Sequence, residues 1–247
     1  MRKAAKVVII GAGSAIFTKT ILCDLLQFDD ITIGNISLVD IDEKKLDVVC
    51  KMTNKMVRQT GKRIQVVASK TWVPVLENAD YVINAISVGG AQIYKRDLDI
   101  AEKFGVSDVI GDIIGPTGIF RMLRAYPVIL QMVKDMERLC PNAYFFNYTN
   151  PMAPICQALN EQSTIKIFGF CHSVQGTAKM LAEYLDVKPE SMSYWVAGIN
   201  HMAWYLQLKT DGEDAYPMLR RLSEDPQALK EAFLREKKYQ GYVGTEF

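Results

Sequence analysis

The only two histidines of the chain sit in two loops beside other groups that bind metals or polar ligands. One loop is Cys171-His172-Ser173-Val174 and the other is Gly198-Ile199-Asn200-His201-Met202. A thiolate and an imidazole together can hold a divalent transition metal. Two protein ligands, Cys171 and His201, are too few for a structural zinc site, and they leave positions open to a substrate. Plainer readings stand beside this one. A cysteine at a strand end is often an inert buried thiol, and His201 could be a core histidine satisfied by a backbone carbonyl.

A second constellation is Gly11-x-Gly13-Ser14, placed between a β-branched run and a helical pattern. Glycine lets the backbone turn tightly and approach a pyrophosphate, and the helix N-terminus offers N–H groups to the phosphates. Ile16 stands where the usual fingerprint has its third glycine. Asp40, at the end of the next strand-like run, is placed to bind the ribose hydroxyls of NAD and to repel the 2′-phosphate of NADP. It could also be a turn residue ahead of the following helix. Asn150, in Tyr148-Thr149-Asn150-Pro151, has an amide that both donates to and accepts from a hydroxyl, or it is a turn residue before proline. Gly115-Pro116-Thr117-Gly118 with Arg121 is a glycine-bounded helix start suited to an anion or polar ligand, or a simple cap.

The elements that must position these residues alternate. Strands are expected at Lys6–Ile10, Asn35–Val39, Ile64–Ala68, Tyr81–Ala85, Tyr144–Asn147 and Ile165–Phe170. Helices are expected at Phe17–Gln27, Glu43–Gln59, Gly118–Leu139, Pro154–Asn160 and Gln175–Leu185. Short apolar strands alternating with long helices predict a doubly wound, Rossmann-like parallel sheet of the α/β class. Ligands in such sheets lie beyond the C-terminal strand ends, where Gly11, Asp40, Asn150 and Cys171 all fall. Past Tyr194 the pattern changes to two antiparallel strands, Tyr194–Ile199 and Ala203–Leu208. Residues 1–194 are therefore read as a nucleotide-binding domain, and 195–247 as the start of an α+β substrate domain. The charged stretch from Leu219 to Lys238 has the spacing of a solvated helix face.

Composition sets the outer limits. In 247 residues, 29 Lys and Arg face 28 Asp and Glu, for a net charge of +1. Without a basic block, nucleic acid is not expected as a partner. Apolar runs are too short to span a bilayer, and the N-terminus lacks a secretory pattern, so a cytoplasmic protein is expected. Five scattered cysteines (Cys23, Cys50, Cys140, Cys156 and Cys171) without a Cys-x-x-Cys pair fit reduced thiols. On the residues alone, the reading ends at an NAD-binding α/β enzyme of unknown reaction.

The motifs GAGSAIF, GPTGIFRMLR, NYTNPM, CHSVQGTA and AGINHMAW, in this order, resemble the family 4 glycoside hydrolases, and within them the melibiose-type α-galactosidases. That family is an NAD-dependent exception to two-carboxylate glycosidase chemistry. The resemblance implies that NAD oxidises C3 of the sugar and so acidifies the proton on C2. A divalent metal, usually Mn2+, stabilises the enediolate while the glycosidic oxygen leaves by elimination. Water then adds and C3 is reduced again. Cys171 and His201 would be the metal ligands. Gly11, Gly13, Ser14 and Asp40 would hold the nucleotide, with Asn84 near the nicotinamide-side ribose, and Asn150 would contact the sugar. His172 stands where phosphosugar-specific relatives carry Asp or Asn. It would protonate the leaving oxygen or contact the sugar, and an unphosphorylated substrate is favoured.

The resemblance also implies a longer chain, with the C2-proton base beyond the closing Tyr242-Val-Gly-Thr245-Glu246-Phe247. Apolar surface left uncovered would then favour self-association, so a homo-oligomer is expected. Other readings stay open: α-glucosidase or uronic-acid-releasing activity of the same family, a 2-hydroxy-acid dehydrogenase on a related fold, or an NAD-binding module without turnover. The dehydrogenase would want Gly-x-His-Gly where this chain has Gly-Ile-Asn-His-Met.

Overall fold

The computed structural model describes residues 4–28, 30–106 and 115–239. The closing motif from Tyr242 to Phe247 lies outside the described residues. The chain divides into two compact units, Met1–Phe170 and Cys171–Phe247.

In the first unit the expected strands form one parallel sheet: β1 (Ala5–Ile10), β2 (Ile33–Val39), β3 (Gln65–Ser69), β4 (Tyr81–Asn84), β5 (Tyr144–Asn147) and β6 (Lys166–Gly169). Their spatial order is β3-β2-β1-β4-β5-β6. The order reverses between β1 and β4, the switch point where open α/β sheets bind ligands. The side chains of β1 show why these runs are continuously apolar. Val7 and Ile9 enter a cluster with Leu22, Leu26, Leu46 and Val49, from α1 (Ala15–Gln27) and α2 (Glu43–Thr60). Val8 and Ile10 enter the other cluster, with Ile129, Met132 and Met136 of α5 (Pro116–Leu139) and Ile155 and Leu159 of α6 (Met152–Gln162). A strand buried on both faces has no polar side to alternate.

Among the described residues four further helices belong to this unit: α3 (Val73–Leu76), α4 (Gly90–Lys103), α5 (Pro116–Leu139) and α6 (Met152–Gln162). Two of them, α3 and α4, have no counterpart among the sequence expectations. Only Asp97 and Ala101 of α4 are fully buried, and Ile93, Tyr94 and Leu98 are half-buried.

The second unit begins with α7 (Ser173–Leu185). After a 3₁₀ turn at Pro189–Ser191 it forms an antiparallel sheet of β7 (Met192–Ile199), β8 (Met202–Thr210) and β9 (Glu213–Asp214). The charged stretch that follows is two helices, α8 (Tyr216–Glu224) and α9 (Pro226–Tyr239). Pro226 has no N–H to continue a helix, and the Asp225 carboxylate accepts from the N–H groups of Gln227 and Ala228. Among the described residues no helix is long and apolar enough to cross a membrane.

Candidate functional site

The glycine turn closes onto the neighbouring strand end. Gly11 has φ +85°, and a Cβ there would lie 2.6 Å from the carbonyl carbon and oxygen of Ala85. Only glycine fits a backbone in this region that approaches another so closely. The N–H of Gly13 donates to Asp40 Oδ2 at 2.7 Å, and that of Asp42 donates to Oδ1 at 2.9 Å. The carboxylate is thus held against the glycine turn, and each oxygen keeps a lone pair for a hydroxyl. Ser14 caps α1 without a side-chain hydrogen bond. Gly11, Gly13, Ser14 and Asp40 are therefore gathered at the switch point.

Beside them lies a buried amide cluster. Asn84, Asn147 and Thr149 are 0%, 0% and 3% exposed. Asn84 Nδ2 donates to Asn147 Oδ1 at 2.8 Å and to Thr149 Oγ1 at 3.1 Å. Thr149 Oγ1 donates to the Ile86 carbonyl at 2.9 Å, and Asn147 Nδ2 donates to the Thr149 carbonyl at 2.9 Å. Asn84 Oδ1 is buried without a partner. A buried acceptor left unmade costs about 1–3 kcal/mol. An orphaned acceptor next to the glycine turn, at the switch point of the sheet, fits a nucleotide there. Asn150 follows this cluster directly, ahead of a cis peptide bond to Pro151.

The second unit brings Cys171 and His201 together: Cys171 Sγ lies 3.1 Å from His201 Nε2. The N–H of Ser173, in the first turn of α7, donates to the same sulfur at 3.4 Å. Thiolate and imidazole suit a divalent transition metal. Among the described residues no group of three or more His, Cys, Asp or Glu could hold a metal, so a metal here would draw further ligands from water or substrate. His172 is exposed at the cap position of α7 and makes no side-chain capping bond.

His201 is placed by the hairpin. Ile199 pairs with Met202 across β7 and β8, so Asn200 and His201 are the two-residue tip. His201 has φ +61°, a conformation glycine or asparagine usually supplies. Gly198 (φ +139°) lets the strands close, since a Cβ would sit 2.5 Å from the Met202 carbonyl oxygen. Further along β8, the Tyr205 hydroxyl donates to the Val174 carbonyl in α7, and the Tyr216 hydroxyl donates to the Tyr205 carbonyl. Burial pushes the Tyr205 phenol pKa up, which keeps it a donor.

Several residues at these sites gave no signal of their own in the sequence. Asn147, Thr149 and Tyr205 read as parts of strand or loop. In the glycine-bounded segment Arg121 stood out, and its guanidinium lies 5.9 Å from the centre of the Tyr94 ring. Arg124 is the residue that ties elements together. It pairs with the buried Asp97 of α4 and donates from Nε to the Val88 carbonyl at 3.3 Å. The proximity of RMLR to the glycine start was the one available hint.

A doubly wound nucleotide fold with a thiol–imidazole pair is a narrow class. Residues 6–187 match the model of the family described as family 4 glycosyl hydrolase, and residues 196–243 match that of its C-terminal domain. The chain belongs to this family. It is 40% identical over 229 residues to an alpha-galactosidase of Bacillus subtilis (strain 168), covering 91% of this chain and 52% of that protein. With an alpha-galactosidase of Rhizobium meliloti (strain 1021) it is 35% identical over 208 residues, covering 84% and 42%. A structure of the 6-phospho-beta glucosidase from Thermotoga maritima with manganese, NAD+ and glucose-6-phosphate matches with a TM-score of 0.77 and 26% identity, covering 87% of this chain and 51% of that one. The chain spans about half the length of the curated relatives it matches.

Proposed function

We propose that this chain works in the hydrolysis of an unphosphorylated α-galactoside, with NAD and a divalent metal, manganese first, as cofactors. The observation that carries the reading is the convergence of Cys171 and His201 at 3.1 Å from loops thirty positions apart. The identity to alpha-galactosidases supports the sugar, and α-glucosides and uronic acid glycosides are alternatives within the same family. When bound, NAD would supply a hydride acceptor and donor at sugar C3, and the metal a positive charge beside the sugar's oxyanion.

The residues have separate tasks. The Gly11 turn admits the pyrophosphate, Gly13 and Ser14 line it, and Asp40 accepts from the adenosine ribose hydroxyls. Asn84 accepts from the nicotinamide-side ribose. Cys171 and His201 would hold the metal. Asn150 hydrogen-bonds a sugar hydroxyl, orienting the ring. His172 contacts the sugar and hands a proton to the leaving oxygen, for which an imidazole is suited near neutral pH. Residues 1–194 serve the nucleotide and 195–247 open the substrate domain, in a cytoplasmic, self-associating protein whose thiols stay reduced.

The test is hydrolysis of an aryl α-galactoside by the 247-residue chain with Mn2+ and a reductant, with and without NAD+. NAD-dependent release without net NADH accumulation is expected. Release indifferent to NAD+ overturns the mechanism.

A further inference from the structure

We infer that Thr149 is a positioning residue for the nicotinamide half of the nucleotide: its hydroxyl fixes Asn84 so that Oδ1 is presented to a ligand donor. The inference rests on the nucleotide reading above and assigns a residue that reading does not use.

Both N–H bonds of the Asn84 amide are committed, one to Asn147 Oδ1 at 2.8 Å and one to Thr149 Oγ1 at 3.1 Å. The Thr149 hydroxyl can accept from Asn84 because its own proton goes elsewhere, to the Ile86 carbonyl at 2.9 Å. Asn147 Oδ1 also accepts from the Thr149 N–H at 3.3 Å, and Asn147 Nδ2 donates to the Thr149 carbonyl. Each donor has a definite acceptor, so the Asn84 amide cannot turn over without breaking two bonds. What remains is a single acceptor, Asn84 Oδ1, buried and unpartnered.

An amide oxygen accepts, so its ligand partner is a donor, a hydroxyl or an amide N–H, and not an anion. The adjoining backbone is Ala85–Ile86, the segment Gly11 approaches. Thr149 thereby ties the nucleotide turn to the loop that carries Asn150, because its hydroxyl grips Ile86 while its backbone precedes Asn150. Asn147 assists from β5, and it is the Thr149 hydroxyl that links Asn84 to Ile86.

The experiment compares the unaltered chain with Thr149→Val and Thr149→Ser by calorimetric titration of NAD+, ADP-ribose and ADP. Valine keeps the shape and loses the hydroxyl, whereas serine keeps the hydroxyl. One hydrogen bond and one freed amide predict about tenfold weaker NAD+ and ADP-ribose binding for Thr149→Val. ADP binding stays unchanged, and Thr149→Ser restores most of the affinity. A general loosening of the fold would weaken all three ligands alike, and that result overturns the inference. So does NAD+ affinity that Thr149→Val leaves intact. If the unaltered chain binds ADP and NAD+ equally, Asn84 Oδ1 meets no nicotinamide-side donor and the inference fails while nucleotide binding stands. If it binds neither, the nucleotide reading itself fails.

Discussion

Cys171 and His201 show what a residue type can and cannot announce. Each was a candidate from its chemistry alone. Their pairing was read from that chemistry and from the family resemblance, but the distance was not legible, because it depends on a hairpin bringing its tip back beside the start of α7. The structure supplies it, at 3.1 Å. Outer partners of metal ligands are worth about 10–100-fold in affinity, so loss of a ligand itself costs more than about 100-fold. Cys171→Ser and His201→Ala are expected to abolish Co2+ binding, read as loss of the thiolate-to-cobalt absorption band in the unmodified chain's spectrum. NAD+ affinity is expected to stay. A band of full intensity in Cys171→Ser would place the metal elsewhere. Asn84 is the opposite lesson. As a residue it was legible only through family resemblance, and its orphaned acceptor comes from partners up to 65 positions away.

At the scale of elements the sequence was most informative where burial is two-sided. The strands β1, β4 and β5 read as mainly apolar runs, β2 keeps Asn35 and Ser37 among its apolar residues, and the parallel order followed from the helices between the strands. Helix α4 was missed although Ile93, Tyr94, Leu98 and Ala101 lie at helical spacing, and its buried side also holds Asp97, ion-paired to Arg124. Connections between elements were equally silent. Glu137, near the end of α5, gathers Lys134, Ser163 and the Thr164 N–H, the last two just before β6. These donors, the Lys134 ammonium first, bring its pKa down from 4.5 to about 2. A lowered folded-state pKa means stability that is present above the unfolded value and lost as pH falls through the folded one. Glu137→Gln is expected to lower stability at neutral pH by on the order of 1 kcal/mol, discounted for partial exposure. The difference in urea midpoint from the unaltered chain shrinks between pH 4.5 and 2. A difference constant with pH would remove the carboxylate from the account. The hairpin makes a second case. Tyr205 holds β8 to the first turn of α7, and so holds the tip bearing His201 to Cys171. Tyr205→Phe is expected to weaken Co2+ binding by about tenfold, the lower end for an outer partner, and to broaden the cobalt spectrum. Unchanged affinity would mean that Gly198 and the ladder alone set the tip.

The whole molecule raises the question of what covers the hairpin. Trp195, Trp204 and Leu206 are 67%, 63% and 60% exposed, and Ile199 and Met202 at the tip are 59% and 46% exposed. Ile199 faces Met202 and Ala197 faces Trp204 in the ladder, so these four share one side of the sheet. A register shift at Trp195 and Val196 places Trp195 and Leu206 beside an irregularity in the same two strands. Two indoles and three aliphatic or thioether side chains in one region exceed the scattered apolar residues normal on a monomer. A net charge of +1 gives little repulsion between copies. The chain is therefore expected to self-associate through this face, which the sequence suggested only as a consequence of family length. Sedimentation velocity over a dilution series should show a concentration-dependent shift to heavier species. Trp195→Gln with Trp204→Gln should return the protein to the monomer without altering NAD+ affinity, since neither residue lies in the first unit. A single concentration-independent monomer in the unaltered chain defeats the expectation. An oligomer that survives the double substitution moves the interface to another face.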